Sequence, residues 1–200
     1  MKHLVIMAKQ PVAGRVKSRL AASIGIARAT GVYRTLMITT LRTLAVDRRW
    51  KTWVAIAPDT AVYDHHWPFG ATSISLTPVQ QGTGNLGVRM QRIFDDTPRG
   101  PVIIIGTDIP FITRTDIADA FGQLGSNDMV FGRAGDGGFW LVGARRTPRI
   151  PQVFGNVRWS SKHALADTLT NARNLKTAYA ASHYDIDIKA DYQKWRKSQI

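Results

Sequence analysis

The sequence contains no cysteine among its 200 residues. This absence excludes disulfide bonds, zinc–thiolate centres and cysteine nucleophiles. Long hydrophobic runs are also missing, because every apolar stretch is interrupted well short of the roughly 20 residues that span a bilayer. The amino terminus lacks the apolar core and small-residue cleavage site of a secretion signal. These absences predict a cytoplasmic protein without a membrane span.

Acidic residues are few relative to basic ones, with 14 against 27, which gives a formal charge of +13. A basic surface concentrates anions, so a nucleic acid, a membrane face or a phosphorylated substrate are possible partners. A solvated basic surface without a dedicated partner is the alternative. The basic residues are spread along the chain and match no zinc-finger, RRM or KH pattern. Nucleic-acid binding is therefore the lesser hypothesis.

Apolar runs alternate with helical patterns along the chain, which is typical of βαβ units and a mainly parallel sheet. We expect one domain over 1–200, because no linker, repeat or low-complexity stretch divides the chain. A polar loop is predicted over 59–72, with His65 and His66 as solvated histidines. Strands are predicted at 4–8, 53–57, 73–79, 102–108, 129–131 and 139–142. Helices are predicted at 32–45, 86–94 and 115–124, with Thr113 or Thr115 as N-cap of the third, and from a cap at Ser160 or Ser161 through Ala172.

The loop after the first predicted strand is rich in basic residues. Ligands of doubly wound sheets lie at the carboxyl ends of the strands, so a nucleotide would meet this loop. A glycine lets backbone N–H groups approach phosphate oxygens, and basic side chains neutralise them. The candidate phosphate-binding residues are Pro11, Gly14, Arg15, Lys17 and Arg19. The alternative is an exposed basic loop, and the segment does not match a P-loop.

Asp108 follows an apolar strand in the segment Gly106-Thr107-Asp108-Ile109-Pro110. An unpaired carboxylate there is costly unless it meets a cation or solvent. A hard divalent ion, held by one or two carboxylates together with nucleotide phosphates, would satisfy it. Alternatively, Asp108 only caps the turn before Pro110.

A second acidic segment, Tyr184-Asp185-Ile186-Asp187, alternates two carboxylates. In an extended chain Asp185 and Asp187 lie on the same face. One of them could complete a metal site with Asp108. The alternative is that they cap a last helical stretch.

Two glycine-containing segments complete the set of motifs. Asp136-Gly137-Gly138 leaves room for a ligand, and Asp136 could bond sugar hydroxyls or act as a general base; a plain turn is the alternative. The segment 82–87 matches the dinucleotide pattern G-x-G-x-x-G. It follows Gln80-Gln81 rather than a clean apolar strand end, so we interpret it as a structural turn with close backbone packing.

These motifs occur in a familiar order, from the basic loop through Gln81-Gly82, Asp108 and Asp136-Gly137-Gly138 to Asp185-Ile186-Asp187. The chain thus resembles a bacterial GT-A-fold family of candidate glycosyltransferases within the nucleotide-diphospho-sugar transferase superfamily. It is more distantly similar to the guanylyltransferases of molybdenum-cofactor and phospholactate metabolism. The resemblance implies a Rossmann-like three-layer α/β sandwich with a mixed, mainly parallel sheet.

The resemblance also implies a chemistry. The basic loop would hold the phosphates, Gly137 and Gly138 would approach the nucleotide, and Asp108 would bind Mg²⁺ or Mn²⁺ with Asp187 or Asp185. We expect a metal-dependent transferase that uses a nucleotide sugar and a small acceptor, with Asp108 and Asp136 as catalytic residues. Nucleotidyl transfer from a nucleoside triphosphate stays open. So does a non-catalytic nucleotide sensor, because residues 109–113 and 188–192 depart from the family pattern.

Overall fold

A computed structural model describes residues 1–64 and 76–199. Its strands are β1 (His3–Lys9), β2 (Lys51–Ala57), β3 (Thr77–Gln80), β4 (Val102–Ile105), β5 (Met129–Ala134), β6 (Phe139–Ala144) and β7 (Thr177–His183). They form one sheet in the order β3-β2-β1-β4-β6-β5-β7. Only β6 is antiparallel to its neighbours within this described sheet. The predicted mixed, mainly parallel sheet is confirmed.

The six parallel strands all end on the same side, which we call the carboxyl end of the sheet. The antiparallel β6 begins there and ends at the opposite side, the amino end. Each loop that follows a parallel strand therefore opens at the carboxyl end, where open α/β sheets bind ligands. All the predicted site residues lie in such loops or directly beyond them.

Helices cover both faces of the sheet. They are α1 (Ser18–Ile24), α2 (Ile26–Leu44), α3 (Leu86–Asp96), α4 (Arg114–Gln123), α5 (Ala164–Asn171) and α6 (Lys189–Lys197), with a short 3-10 helix at Asp59–Tyr63. In the described ranges, no helix combines the length and the apolar character needed to cross a bilayer.

The core has two layers because side chains of a strand alternate between its faces. In β1, Leu4 and Ile6 pack in a cluster with residues of α2 and α4. Val5, between them, packs in a second cluster with residues of α3. Burying such a side chain fully contributes about 1.5–3 kcal/mol. The resulting three-layer sandwich confirms the expected fold class.

Several local predictions can be compared with the structure. Thr113 is the N-cap of α4, and its side chain accepts a hydrogen bond from the N–H of Asp116. The predicted cap of α5 at Ser160 or Ser161 is wrong, since that helix starts at Ala164 and Ser160 has a left-handed backbone (φ 58°). The strand β7 was not predicted. His65 and His66, with the first residues of the predicted third strand, lie outside the described residues.

Candidate active site

The loop between β1 and α1 directs one basic side chain inward. Val16 is buried, and Lys17 directly after it adopts a left-handed backbone (φ 50°, ψ 46°) at the N-cap position of α1. Lys17 does not cap the helix with its side chain. The chain reversal turns that side chain toward the sheet, where only 5% of it remains exposed.

Lys17 lies between two carboxylates. Its Nζ donates to Asp108 Oδ2 at 3.0 Å and to Asp187 Oδ1 at 2.7 Å. The exposed Arg19 adds a longer contact, with Nη1 3.5 Å from Asp187 Oδ2. Burial lowers the pKa of Lys17, but the charges of Asp108 and Asp187 more than offset burial, so the pKa lies above its usual value. The side chain is therefore a charged ammonium at neutral pH.

The backbone fixes the approach of the two acidic segments. Asp108 follows β4, and its carbonyl oxygen accepts a hydrogen bond from the N–H of Ile186 at 3.1 Å. The side chain of Ile186 is fully buried between α1 and α6 in a third apolar cluster. Because neighbours in an extended segment alternate, burying Ile186 turns both flanking carboxylates the other way.

Asp108, Asp185 and Asp187 form one acidic cluster. Each offers a carboxylate oxygen, and these oxygens lie within 4.8 Å of one another. Burial, followed by the charges of Asp187 and Asp108, raises the pKa of Asp185 to about 6. Carboxylates gathered in this way fit a hard divalent cation, which prefers oxygen ligands. Mg²⁺ or Mn²⁺ suits this donor set.

Neither alternative reading of these acids holds. The side chain of Asp108 bonds to Lys17 rather than only capping a turn. The start of α6 is capped by Asp191, whose Oδ2 accepts from the N–H groups of Asp187 and Ile188 at 3.1 and 3.0 Å. Asp185 and Asp187 are thus left available to the cluster.

Asp136 stands in the turn between β5 and β6. Its Oδ1 accepts the N–H of Gly138 at 2.9 Å, which orders the turn. Its charge also contributes to the raised pKa of Asp185, after burial and the charges of Asp187 and Asp108, although Asp136 is not a member of the acidic cluster. Gly137, with φ 86°, packs against the backbone of Lys162. A role of Gly137 or Gly138 in nucleotide binding stays a prediction.

The remaining residues of the basic loop are at the surface. Gly14 and Arg15 are exposed and Pro11 is partly buried. Within the described part of the chain Arg15 forms no ion pair. These residues flank the position of Lys17 in sequence, and their contact with phosphate stays a prediction.

Tyr33 supports the site, although the sequence pattern indicates only that it belongs to the apolar stripe of a helix. Its buried hydroxyl accepts the N–H of Lys9 at 2.7 Å and donates to the carbonyl of Lys9 at 3.2 Å. It also accepts a hydrogen bond from Thr107 at 3.1 Å. Burial raises the pKa of Tyr33, which keeps the hydroxyl protonated. Tyr33 thereby joins the ends of β1 and β4 directly below Asp108.

Gln81 is a second supporting residue, 3% exposed beyond β3. Its Nε2 donates to the carbonyls of Ala8 and Ala55 at 3.0 and 2.8 Å, and its Oε1 accepts from Arg89 at 2.9 Å. The side chain ties together the carboxyl ends of β1, β2 and β3. A polar residue after a strand was its only signal in the sequence.

The segment 82–87 is a packed turn, as predicted. Asn85 caps α3 by accepting the N–H of Val88 at 3.0 Å. A Cβ atom at Gly87 would stand 2.7 Å from Trp159 and 2.9 Å from the carbonyl of Phe154. The segment therefore serves helix capping through Asn85 and close packing through Gly87.

Solved structures share this fold over nearly the whole chain. A candidate nucleotide-diphospho-sugar transferase from Desulfovibrio desulfuricans G20 is 25% identical with a TM-score of 0.84, covering 99% of this chain and 87% of its own. A nucleotidyl transferase from Methanothermobacter is 14% identical with a TM-score of 0.64, covering 99% and 97%. The 4-diphosphocytidyl-2C-methyl-D-erythritol synthase from Anaerococcus prevotii DSM 20548 is 10% identical with a TM-score of 0.62, covering 100% and 96%.

No curated protein matches the sequence. A family model does, over residues 40–161, which include Asp108 and Asp136 but neither Lys17 nor Asp187. The structural neighbours agree with the resemblance seen in the sequence motifs and support a transferase. The match spans more than half of the chain, and the protein belongs to the family described as uncharacterized proteins conserved in bacteria (DUF2064).

Proposed function

We propose that this protein is a divalent-metal-dependent transferase that moves the sugar of a nucleotide-diphospho-sugar to a small acceptor. The observation that carries the proposal is the cluster of Asp108, Asp185 and Asp187 around the ammonium of Lys17 at the carboxyl end of the sheet. Acidic oxygens and a basic loop together suit a metal–diphosphate complex, since each component needs the opposite charge.

Charge builds on the departing nucleoside diphosphate when the bond between the sugar and the diphosphate breaks. A bound Mg²⁺ or Mn²⁺ would supply Lewis-acid stabilisation of that charge, with Asp108 and Asp187 as ligands and Asp185 as a third. Lys17 and Arg19, with Arg15 and the backbone near Gly14, would bind the phosphate oxygens. Fixed charges of this kind are typically worth about 10²-fold or more in rate.

Asp136 is the proposed general base or sugar-hydroxyl ligand. As a base it would take the proton of the acceptor hydroxyl while that oxygen forms the new bond to the sugar carbon. One of its oxygens already accepts the N–H of Gly138, which holds the carboxylate within the turn between β5 and β6. A base must reach the proton that it removes, and a held carboxylate meets this requirement better than a free one.

Nucleotidyl transfer is the second candidate, because the structural neighbour from Methanothermobacter is named a nucleotidyl transferase. In this reaction the acceptor would attack the α-phosphorus of a nucleoside triphosphate and release pyrophosphate. The same carboxylates and basic loop would serve both reactions. Analysis of the small product, a nucleoside diphosphate or pyrophosphate, distinguishes them.

A thermal-shift panel tests the proposal. Nucleotide sugars and nucleoside triphosphates are each added with and without Mn²⁺ to the wild type, to Asp108→Ala and to Asp119→Ala. Asp119 is an exposed carboxylate on α4 and provides the control. A ligand at a hundred times its Kd should stabilise the wild type and the control by about 2.7 kcal/mol.

We expect Asp108→Ala to lose the shift. The absence of a shift with every nucleotide, or an unchanged shift in Asp108→Ala, would contradict the site assignment. Binding without turnover across acceptors would instead identify a nucleotide sensor.

A further inference from the structure

A cleft opens at the carboxyl end of the sheet, beside the acidic cluster. Its volume is about 450 Å³. It lies where β5 and β7 end, and its last lining residues directly precede Asp136 and Asp185 in the chain. The lining residues are Arg133, Ala134, Gly135, Ser182, His183 and Tyr184. The cleft therefore adjoins the proposed reaction centre.

Arg133 is the cationic side chain of this cleft. Its guanidinium carbon lies 4.0 Å from the centroid of the Tyr179 ring, and the side chain is exposed. Within residues 1–64 and 76–199, the side chain of Arg133 forms no ion pair and no hydrogen bond. The aromatic ring supports the guanidinium plane without neutralising it, so its N–H donors remain free for an anion.

An irregularity between β5 and β7 gives Arg133 its position. Gly132 pairs with Ala180, but the next pair joins Ala134 to His183, so two residues of β7, Ala181 and Ser182, lie opposite Arg133. The carbonyl of one of them, Ala181, accepts the indole N–H of Trp140 at 2.9 Å. Bulges of this kind occur next to binding sites, where they redirect a side chain.

His183, which also lines the cleft, has a carboxylate of its own nearby, that of Asp116. The His183 ring lies edge-on to Trp140, with 4.8 Å between ring centroids. Its Nε2 is 3.3 Å from Asp116 Oδ2, without hydrogen-bond geometry. Asp116 also accepts from the N–H and the hydroxyl of Thr113, each at 2.8 Å. This carboxylate is thus committed to its own surroundings and leaves the charge of Arg133 uncompensated.

We propose that this cleft binds the second substrate of the transfer and that Arg133 binds a carboxylate or phosphate group on that substrate. The inference rests on the proposed function, because it takes the acidic cluster as the reaction centre. An acceptor anchored by its acidic group at Arg133 would extend past Gly135 toward Asp136. A neutral acceptor cannot neutralise the guanidinium of Arg133, whereas an anion makes charge-assisted and bidentate hydrogen bonds with it.

NMR titration of the backbone amide of Gly135 tests the cleft directly, without nucleotide or metal. The probes are glycerate, glycerol 3-phosphate, inorganic phosphate and uncharged glycerol. The proteins are the wild type, Arg133→Met, Arg133→Lys and Arg34→Met, the last removing an exposed arginine of α2 as a matched control. We expect an acidic probe to shift Gly135 and glycerol to leave it unchanged.

We expect Arg133→Met to lower the affinity for the acidic probe at least about tenfold, because a hydrogen bond to a charged group is lost. Arg133→Lys should lose less, since it retains the charge but not the planar fork, and Arg34→Met should bind as the wild type does. Comparing the affinities of glycerate and glycerol 3-phosphate shows whether the cleft prefers a carboxylate or a phosphate group.

Equal binding of glycerol, unchanged affinity in Arg133→Met, or phosphate shifts confined to the loop of Lys17 would overturn the inference. If Gly135 responds as expected while no nucleotide stabilises the protein, the proposed function fails and the anion cleft stands. If nucleotides bind and Gly135 responds to no probe, the anion cleft fails and the proposed function stands.

Discussion

The charged side chains at the two ends of the sheet have different kinds of partners. At the carboxyl end, three carboxylates share a small volume with one ammonium. At the amino end, the Arg146 guanidinium donates to three neutral carbonyls, those of Thr97, Pro98 and Gly100. Near it, both ring nitrogens of His3 have partners. One end concentrates like charge and the other distributes its donors over carbonyls of the backbone.

This difference indicates what each end does for the protein. Burial and the neighbouring carboxylates together raise the pKa of Asp185 to about 6, so the ionised cluster is unfavourable and a bound cation would stabilise it. A guanidinium bonded to backbone carbonyls has little capacity left for a ligand, and it serves to hold loops against the sheet. We therefore expect substitutions at the carboxyl end to alter ligand responses, and those at the amino end to alter stability alone.

The largest effect on stability is expected at a glycine of the carboxyl end. In Gly137→Ala, the new Cβ would stand 2.8 Å from the Cα of Lys162 and closer still to its carbonyl oxygen, at a left-handed φ of 86°. Backbone strain and overpacking together should lower the free energy of unfolding by about 3 kcal/mol. Urea denaturation measures this loss.

Gly135→Ala, in the same turn, is the control. A Cβ at Gly135 would meet no atom within 4 Å. Its substitution should change stability by less than about 0.5 kcal/mol. Equal losses in the two variants would show that the packing against Lys162 is not what requires glycine. Such a result would favour a direct ligand role for this turn.

Lys17→Met should have the next largest effect. Methionine fills a similar volume but leaves Asp108 and Asp187 without their ammonium, which should cost about 2 kcal/mol of stability. Because the carboxylates then lack their nearest cation, Mn²⁺ should raise the melting temperature of the variant more than that of the wild type. Differential scanning calorimetry with and without Mn²⁺ measures both effects.

Lys176→Met provides the comparison from the amino end, where the exposed Lys176 precedes β7. This variant should keep the wild-type stability and the wild-type response to Mn²⁺. If Mn²⁺ stabilises Lys17→Met no more than the wild type, the carboxylates do not form a cation site. The contrast between the two ends would then be one of charge placement without a ligand.

The sequence predicted those parts of the fold that strong apolar patterns define. The uninterrupted apolar runs of β1 and β4 are covered on both faces, so their residues could be assigned without knowledge of the partners. The strand β7 (Thr177–His183) escaped because it lies at the sheet edge and all of its residues except Tyr179 are small or polar. An edge strand has only one neighbouring strand, and its weak pattern resembles a loop.

The site was predictable to the extent that it depends on strand ends. Asp108 could be placed at the end of a predicted strand, whereas Asp185 and Asp187 were joined to it by their alternating acidic pattern and by the order of the family motifs, because β7 was not predicted. The interior position of Lys17 could not, since it depends on a left-handed backbone at a residue other than glycine. The role of Gln81 was missed for a related reason, because the carbonyls that its side chain joins belong to the distant strands β1 and β2 and leave no local pattern.

The smallest expected effect is a pH dependence at the amino end. His3 is 2% exposed, and burial lowers its pKa below the ordinary 6.5. Trp53 donates to Nδ1 at 3.1 Å, so Nε2 carries the proton and faces the carbonyl of Arg99 at 3.3 Å. Protonating Nδ1 would break the bond from Trp53, whose net worth is about 1 kcal/mol.

The sign follows from the direction of the shift. As the pH falls through about 6.5, His3 is protonated in the unfolded chain but stays neutral in the folded chain. The contribution of His3 to stability is therefore complete above this pH, and it is lost as the pH falls toward the lower pKa of the folded state. The melting temperature of the wild type should therefore fall on acidification, and His3→Gln should remove that part of the fall. His163→Gln, at a partly exposed histidine near the other end, should retain it. A pH profile unchanged in His3→Gln would mean that the hydrogen bonds of the His3 ring with Trp53 and Arg99 do not hold it neutral.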